Sequence, residues 1–174
     1  MNVRVRPEAA GDADAIQSVQ LVAFHPSTDE AGLVIRLHED GDSVLSLVAE
    51  LRGEIVGHVM LSRMRVTGDG RDYRAVGLAP VAVRPWAQDG GVGSALIEAA
   101  LDEAKALGEE VVFVVGDPDY YVRFGFSPGA AEPFDSPYAG RSWFMALWLR
   151  SDAVPPKSGS ASYARAFAAW DELG

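Results

Sequence analysis

The sequence predicts a mixed α/β fold in which the N-terminal strands are antiparallel and a later pair of strands is parallel. The first observation is a series of apolar runs in the first half of the chain, joined by short turns that contain glycine. The second is the order of a strand, an amphipathic helix and a fully apolar strand over residues 73–115, which is typical of a βαβ unit. With 174 residues, the chain has the length of one domain.

The N-terminal half contains the predicted antiparallel strands and two helices. Asp12 is expected to be the N-cap of the first helix, because a short acidic side chain can accept hydrogen bonds from first-turn N–H groups. Arg52 and Gly53 form a two-residue hairpin turn, in which Gly53 supplies a positive φ. In chain order, the elements are a strand at 3–7, a helix after Asp12, a helix from Asp29, and strands at 43–51, 54–66 and 73–83.

In the C-terminal half, the spacing of apolar residues changes from that of a strand to that of a helix. Residues 93–107 carry apolar side chains at helical spacing and end at Gly108, which is a favourable helix stop. Residues 111–115 are all apolar, as in a strand that is covered on both faces. A short helix or turn at 117–124 and a final strand at 143–149 complete this half.

The predicted domain covers residues 1–150, and residues 151–174 form a linker with a short C-terminal helix. Residues 154–160 have the Pro, Gly and Ser content of a linker. Tyr163, Phe167 and Trp170 then lie at i, i+4 and i+7, which places them on one face of a helix. This face docks either on the domain or on a second copy of the chain, so a homodimer is one expectation.

Composition excludes several classes of protein. The 48% hydrophobic content argues against a disordered chain, and the absence of cysteine excludes disulfides, thiolate metal sites and a catalytic thiol. The formal net charge of -10 disfavours nucleic acid and anionic lipid as partners. Because there is no apolar run of membrane-spanning length and no signal region at the start, we expect no membrane partner and a cytoplasmic location.

The most informative segment is a glycine-rich loop between an apolar strand and the helix that follows it. Gly90, Gly91 and Gly93 allow the backbone to approach a ligand closely, and the N–H groups at the helix start favour an anion such as phosphate. The Walker pattern is absent, because Ser94 and Ala95 stand where it requires Lys followed by Ser or Thr. The dinucleotide pattern is also absent, because its third glycine is missing.

Two motifs resemble one family. Gln88-x-x-Gly91-x-Gly93 after an apolar strand resembles the acetyl-CoA motif of the GNAT N-acetyltransferases. The sequence Tyr-Tyr-Val-Arg-Phe-Gly-Phe at 120–126 resembles the tyrosine and Gly-Phe segment near the C-terminal end of that family. The Gly-Asp-Pro sequence at 116–118 resembles a subgroup of small predicted acetyltransferases.

The resemblance covers residues 3–150 and implies the GNAT acyl-CoA acyltransferase fold, with a splayed parallel pair of strands at the cofactor cleft. It implies that acetyl-CoA is the acyl donor. In this family the strand edge holds the pantetheine arm and the loop backbone holds the pyrophosphate. The implied cofactor-binding residues are Val81, Ala82, Val83, Arg84, Gln88, Asp89, Gly90, Gly91, Val92, Gly93 and Ser94.

The resemblance also implies catalytic roles. Tyr121 matches the family tyrosine that acts as general acid and protonates the departing CoA thiolate. A phenol has a pKa of about 10, above that of a thiol, so its O–H can donate to a thiolate. Tyr120 is the competing residue within the pair, and packing in the core is the alternative role for Tyr121. The backbone N–H of Val81 is the implied oxyanion donor.

No motif identifies the general base. His58 is a candidate base or substrate contact, but it lies in a strand that is apolar on both faces, so a hydrogen-bonded buried histidine is the alternative. Glu50, Glu54, Asp117 and a water chain are the other candidates. An amine that arrives already neutral would need no base.

The predicted function is acetyl-CoA-dependent transfer of an acetyl group to a primary amine of a small molecule or protein. A CoA-binding sensor or scaffold without turnover is one alternative, and transfer of another acyl group, or transfer to oxygen, is a second. No metal site is expected, because His25, His38 and His58 lack a shared ligand spacing.

Overall fold

The computed structural model describes residues 2–171, and within them the chain forms a mixed α/β fold. The strands are β1 (Arg4–Pro7), β2 (Ser43–Leu51), β3 (Glu54–Gly68), β4 (Arg71–Val83), β5 (Val111–Val115), β6 (Phe134–Asp135), β7 (Phe144–Trp148) and β8 (Gly159–Ser162). The α-helices are α1 (Ala13–Ala23), α2 (Asp29–Glu39), α3 (Val92–Ala106), α4 (Pro118–Tyr121), α5 (Pro128–Ala131) and α6 (Ala168–Asp171). Short 3-10 turns occupy Pro85–Ala87, Val122–Phe124 and Arg165–Phe167.

The chain divides into two compact units, and β3 and β4 contribute residues to both. The first unit contains the residues up to 61 together with 79–102, and the second contains 62–78 and the residues from 103 onward. In the first unit the strand order is β1-β2-β3-β4, and β1 is antiparallel to β2, with Val5 opposite Ala49. The turn that joins β2 to β3 has positive φ at Arg52 and Gly53 (53° and 81°), as the sequence predicted for Gly53.

The two long N-terminal helices bury one face each. Their fully buried apolar side chains follow the helical spacing of the sequence and include Ile16, Val19, Leu33, Val34 and Leu37. The predicted starts of α1 and α2 are therefore confirmed to within a residue.

The predicted N-cap of α1 is confirmed in position, but its side chain does not cap the helix. Asp12 does occupy the N-cap position, but its backbone is already helical (φ -84°, ψ -11°) and its side chain makes no cap hydrogen bond. The carboxylate instead accepts from the Ala9 N–H and from the Arg6 guanidinium, both at 2.7 Å. The Arg6 hydrogen bond lowers the pKa of Asp12, so the side chain joins the start of α1 to β1 as a carboxylate.

In the second unit β4 and β5 form the predicted parallel pair. Ala75, Val76 and Gly77 pair with Val111, Val112 and Phe113, after which β4 continues to Val83 and β5 to Val115. β5 is antiparallel to β7 on its other side. The first four residues of β5 are buried, and Phe113 lies 5.3 Å from Phe134 and 5.6 Å from Phe144 between ring centroids.

A buried carboxylate joins three strands of the second unit. Glu109, two residues before β5, is 1% exposed and accepts two hydrogen bonds from Arg63 on β3, at 2.6 and 2.8 Å. Arg74 on β4 donates a third, at 3.1 Å. A charge this deeply buried requires such partners, and Glu109 therefore ties the entry of β5 to the neighbouring strands.

Two strands, β6 and β8, were not predicted. β8 lies partly within the segment whose composition indicated a linker, and it is antiparallel to β3, with Val66 opposite Ala161. The small side chains of Gly159–Ser162 carry no periodic signal, so pairing with β3 and β6 decides their conformation. The division of the chain at residue 150 remains a prediction.

The predicted C-terminal aromatic face is only partly helical. Tyr163 precedes the helical residues, Phe167 closes a 3-10 turn, and Trp170 lies on α6, with ring-centroid distances of 5.0 and 6.2 Å along the series. Residues 172–174, where the predicted helix continued, lie outside the described residues. Among residues 2–171, no helix has both the length and the apolar character needed to cross a membrane.

Candidate functional site

The glycine loop is anchored at its start by Arg84, which follows β4. The Arg84 N–H donates to the Val56 carbonyl at 2.8 Å, and its guanidinium donates to the Ile55 carbonyl at 3.0 Å and to the Ser18 hydroxyl at 3.3 Å. Glu54 adds an ion pair at 3.5 Å. The side chain thus fixes the loop to β3 and α1 of the first unit.

The next part of the loop is equally well defined. Pro85–Ala87 forms a 3-10 turn in which Ala87 is fully buried and Trp86 is exposed. The side-chain amide of Gln88 then donates to the carbonyl of Val83 at 3.0 Å and closes the loop across its base. The last residues of β4 are half-buried at Val81 and Val83 and buried at Ala82.

The loop opens into α3 through two residues with positive φ, Asp89 (62°) and Gly91 (86°). Gly91 is exposed, and a Cβ built on it meets no heavy atom within 4 Å, so the space above it is open. The Gly91 carbonyl accepts the N–H of Ala95, which begins the helix. The N–H groups of the first turn have no intrahelical acceptor, and the positive end of the helix dipole lies there. The loop can therefore hold a phosphate group.

Gly57 on β3 positions the start of α3, and sequence reasoning did not single it out. A Cβ at this residue would lie 2.8 Å from Leu96 Cδ1, 3.0 Å from Val92 Cγ1 and 3.2 Å from the Ala82 carbonyl oxygen. The first turns of α3 therefore pack directly on the backbone of β3. A glycine inside an apolar strand indicates this kind of close approach and was the available signal.

His58, the next residue of β3, is fully buried, and both of its ring nitrogens have partners. Nδ1 lies 2.8 Å from Gln20 Nε2 on α1, and Nε2 lies 2.8 Å from Ser46 Oγ on β2. Because an amide nitrogen only donates, Nδ1 accepts and Nε2 carries the proton. Burial, with a smaller contribution from His38, lowers the pKa of His58 to about 3. The neutral ring joins α1, β2 and β3.

The other base candidates also have partners. Glu50 accepts from Arg6 Nε at 3.0 Å, and Glu54 lies beside Arg84. The Asp117 carboxylate accepts the N–H of Asp119 at 3.0 Å and caps α4. Each carboxylate has a structural role in its own unit.

Tyr121 lies at the end of α4 in the second unit and is packed among aromatic rings. Its ring centroid is 5.0 Å from that of Tyr120 and 5.8 Å from that of Phe126, both edge to face. A Cβ on Gly116 would lie 2.5 Å from Tyr121 Cε2, so only glycine permits this ring position. Burial, and then the neighbouring Tyr120, raise the pKa of Tyr121 to about 12. The phenol is therefore protonated throughout the physiological range.

Fold and loop together define a class of protein. The mixed sheet with a parallel β4–β5 pair, and the glycine loop that enters α3, are features of an α/β protein that can hold a phosphate-bearing ligand. Among the described residues 2–171, no cluster of three His, Asp or Glu side chains is arranged to hold a metal ion.

Comparison with known proteins gives the family. The family model described as the acetyltransferase (GNAT) domain matches residues 4–129. YjhQ of Escherichia coli K12, an uncharacterized N-acetyltransferase, is 37% identical over 141 residues, 79% of this chain and 77% of its own. YhbS of the same strain, also an uncharacterized N-acetyltransferase, is 34% identical over 161 residues, 91% of this chain and 95% of its own. The chain therefore belongs to the GNAT acetyltransferase family.

Solved structures agree. The crystal structure of YhbS from Escherichia coli in complex with CoA has a TM-score of 0.86 and 33% identity, covering 96% of this chain and 92% of that one. A GNAT acetyltransferase from Brucella melitensis in complex with acetyl-CoA has a TM-score of 0.76 and 30% identity, covering 95% and 98%. The predicted fold class and family are confirmed.

Gly57→Ala should destabilise the protein, because its Cβ meets Val92, Leu96 and the Ala82 carbonyl. We expect a loss of about 1–3 kcal/mol in the free energy of unfolding, measured in urea. Gly129→Ala is the matched control, since a Cβ there meets nothing within 4 Å and φ is not positive. Equal stability of the two variants would contradict the packing of α3 on β3.

His58 should make the protein sensitive to acid. Its pKa is about 3 when folded and 6.5 when unfolded, so as the pH falls below 6.5 the unfolded chain binds the proton first and stability is lost. Between pH 7.5 and pH 5, wild type should lose about 2 kcal/mol more than His58→Gln. The other titrating groups are common to both proteins, so parallel pH profiles in urea unfolding would show that His58 is not buried and neutral.

Proposed function

We propose that this protein transfers an acetyl group from acetyl-CoA to a primary amine of a small molecule or a protein, by direct attack of the amine. The observation that carries the proposal is the open glycine loop at the start of α3, in a GNAT chain whose relatives from Escherichia coli and Brucella melitensis were crystallised with CoA and acetyl-CoA. The residues of the loop fit such a ligand, because backbone donors and open space coincide at Gly91.

We assign the cofactor contacts along this segment. Val81, Ala82 and Val83 would hold the pantetheine arm through their backbone, and the backbone from Gln88 to Ser94 would hold the pyrophosphate. Arg84 would contribute through its field and through the position of the loop, because Ile55 and Ser18 already accept hydrogen bonds from its guanidinium.

Acetyl-CoA supplies the acetyl group as a thioester. The Val81 N–H would donate a hydrogen bond to the carbonyl oxygen as negative charge develops there. Tyr121 would donate its phenolic proton to the departing sulfur atom. Its pKa of about 12 keeps that proton in place until transfer, and the intact, protonated Tyr121 favours a catalyst over a CoA-binding sensor.

The acceptor amine attacks in its neutral form in this proposal: its nitrogen bonds to the carbonyl carbon, the carbon–sulfur bond breaks, and the proton that the nitrogen loses passes through solvent and replaces the one that Tyr121 gives to sulfur. His58 is less suited to remove its proton, since Gln20 and Ser46 engage both ring nitrogens and the pKa is about 3. His58 instead positions α1 on the sheet of the first unit.

Thermal unfolding with acetyl-CoA, ATP and NAD tests the proposal. Stabilisation by acetyl-CoA alone is expected, because a ligand that binds only the folded state raises the melting temperature. An amine screen that detects released CoA thiol would then identify the acceptor. No stabilisation by acetyl-CoA at concentrations well above micromolar would contradict the proposal.

Gly91→Trp should abolish CoA binding, because the indole would fill the open space over the loop. Gly70→Trp is a matched control: both glycines have positive φ (86° and 81°), and a Cβ at either meets nothing within 4 Å. Both variants should lose similar stability from backbone strain, about 1 kcal/mol or more. Only Gly91→Trp should lose affinity in isothermal titration, and undiminished affinity would refute the assignment of the loop.

Tyr121→Phe should lower kcat by about 100-fold or more while the Kd for acetyl-CoA changes little, because a general acid acts in the chemical step. Tyr120→Phe is the control within the aromatic pair and should keep most of the turnover. In wild type, ionisation of Tyr121 should cause no loss of kcat below pH 10, given its pKa of about 12. Unchanged kcat in Tyr121→Phe would remove this residue as the acid.

A further inference from the structure

Trp86 is a large apolar side chain that the fold leaves in solvent. It exposes 57% of its surface, whereas the next residue, Ala87, is fully buried. An isolated exposed apolar residue is ordinary in proteins. An indole on the turn that leads into a phosphate-binding loop is a different case, because its ring is available to a ligand that the loop would hold.

The backbone beneath Trp86 is fixed. The Ala87 N–H donates to the Arg84 carbonyl at 2.8 Å, and the flanking Arg84 and Gln88 are bonded to Val56 and Val83. Pro85 further restricts the turn. The indole is therefore carried on a rigid segment, and little backbone ordering would accompany binding to its ring.

The segment that carries the loop supplies few ionic partners for a nucleotide. Residues 75–104 contain a single basic side chain, Arg84, and its guanidinium already donates to Ile55 and Ser18. Asp89 adds a negative charge within the loop. This segment must then contribute to nucleotide affinity mainly through backbone N–H groups and through contacts that do not depend on charge.

We propose that Trp86 stacks on the adenine ring of CoA and supplies the part of the affinity that basic side chains do not. The inference rests on the proposed function, since it concerns the same loop. Stacking of a base on an aromatic side chain is tolerant of the base and strong enough to matter, changing affinity by about 5- to 100-fold. Trp86 is thus a binding residue for the adenosine part of the donor and has no role in the chemical step.

The test compares ligands with and without adenosine. In Trp86→Ala, the Kd for CoA should rise by about 5- to 100-fold, while stabilisation by millimolar 4′-phosphopantetheine, which lacks adenosine, should match wild type. Trp86→Phe should retain most of the affinity for CoA, because phenylalanine can also stack. Equal weakening with both ligands would overturn stacking, because the loss would then come from the turn itself.

Tryptophan fluorescence gives a second test. It requires neither turnover nor a folded Trp86→Ala variant. Adenosine 3′,5′-bisphosphate should quench the emission of wild type and of Trp143→Phe, and the quenching should disappear in Trp86→Phe. Persistent quenching in Trp86→Phe, or unchanged affinity of Trp86→Ala for CoA, overturns this inference and leaves the proposed function intact. If wild type itself fails to bind CoA, both are overturned.

Discussion

The close packing of α3 on β3 at Gly57 is the constraint on which the candidate cofactor loop depends. Val92 and Leu96 occupy the space that a side chain at Gly57 would fill. This packing fixes the position of the first turn of α3 relative to β3. Arg84 and Gln88 hold the two sides of the loop to strands of the same unit. Backbone N–H groups can act as a preorganised anion site only when the helix carrying them is fixed in this way.

In the second unit a glycine again allows close packing, in this case of an aromatic side chain. Gly116 lets the Tyr121 ring lie on the backbone, and Tyr120 and Phe126 hold its edges. The aromatic surroundings partly bury the ring, and this burial raises the pKa of Tyr121. The same packing thus fixes the position of the Tyr121 ring and its protonation state. Neither effect requires a hydrogen-bonding partner.

The sequence was sufficient to predict an element where its local pattern and its tertiary environment favour the same structure. β5 has the predicted bounds, α3 is displaced by a single residue, and the parallel pair is present. β8 escaped prediction because Gly and Ser have no strand periodicity, and pairing with β3 and β6 makes them a strand. Asp12 occupies the predicted N-cap position, but it makes no cap hydrogen bond because its carboxylate is bonded to Arg6 and to the Ala9 N–H. The chemistry of His58 depended on Gln20 and Ser46, which no spacing in the sequence connects to it.

The net negative charge of the protein is compatible with binding of an anionic donor, because the net charge and the N–H groups of the loop act over different distances. At physiological ionic strength, charges separated by more than about 8 Å are largely screened, so the net charge of -10 has little effect inside the loop. Helix-start N–H groups act within the first turn, where Asp89 is the one acidic side chain of residues 84–94. The local field, rather than the total charge, therefore decides the affinity for the donor. An exposed aromatic ring increases this affinity without adding charge.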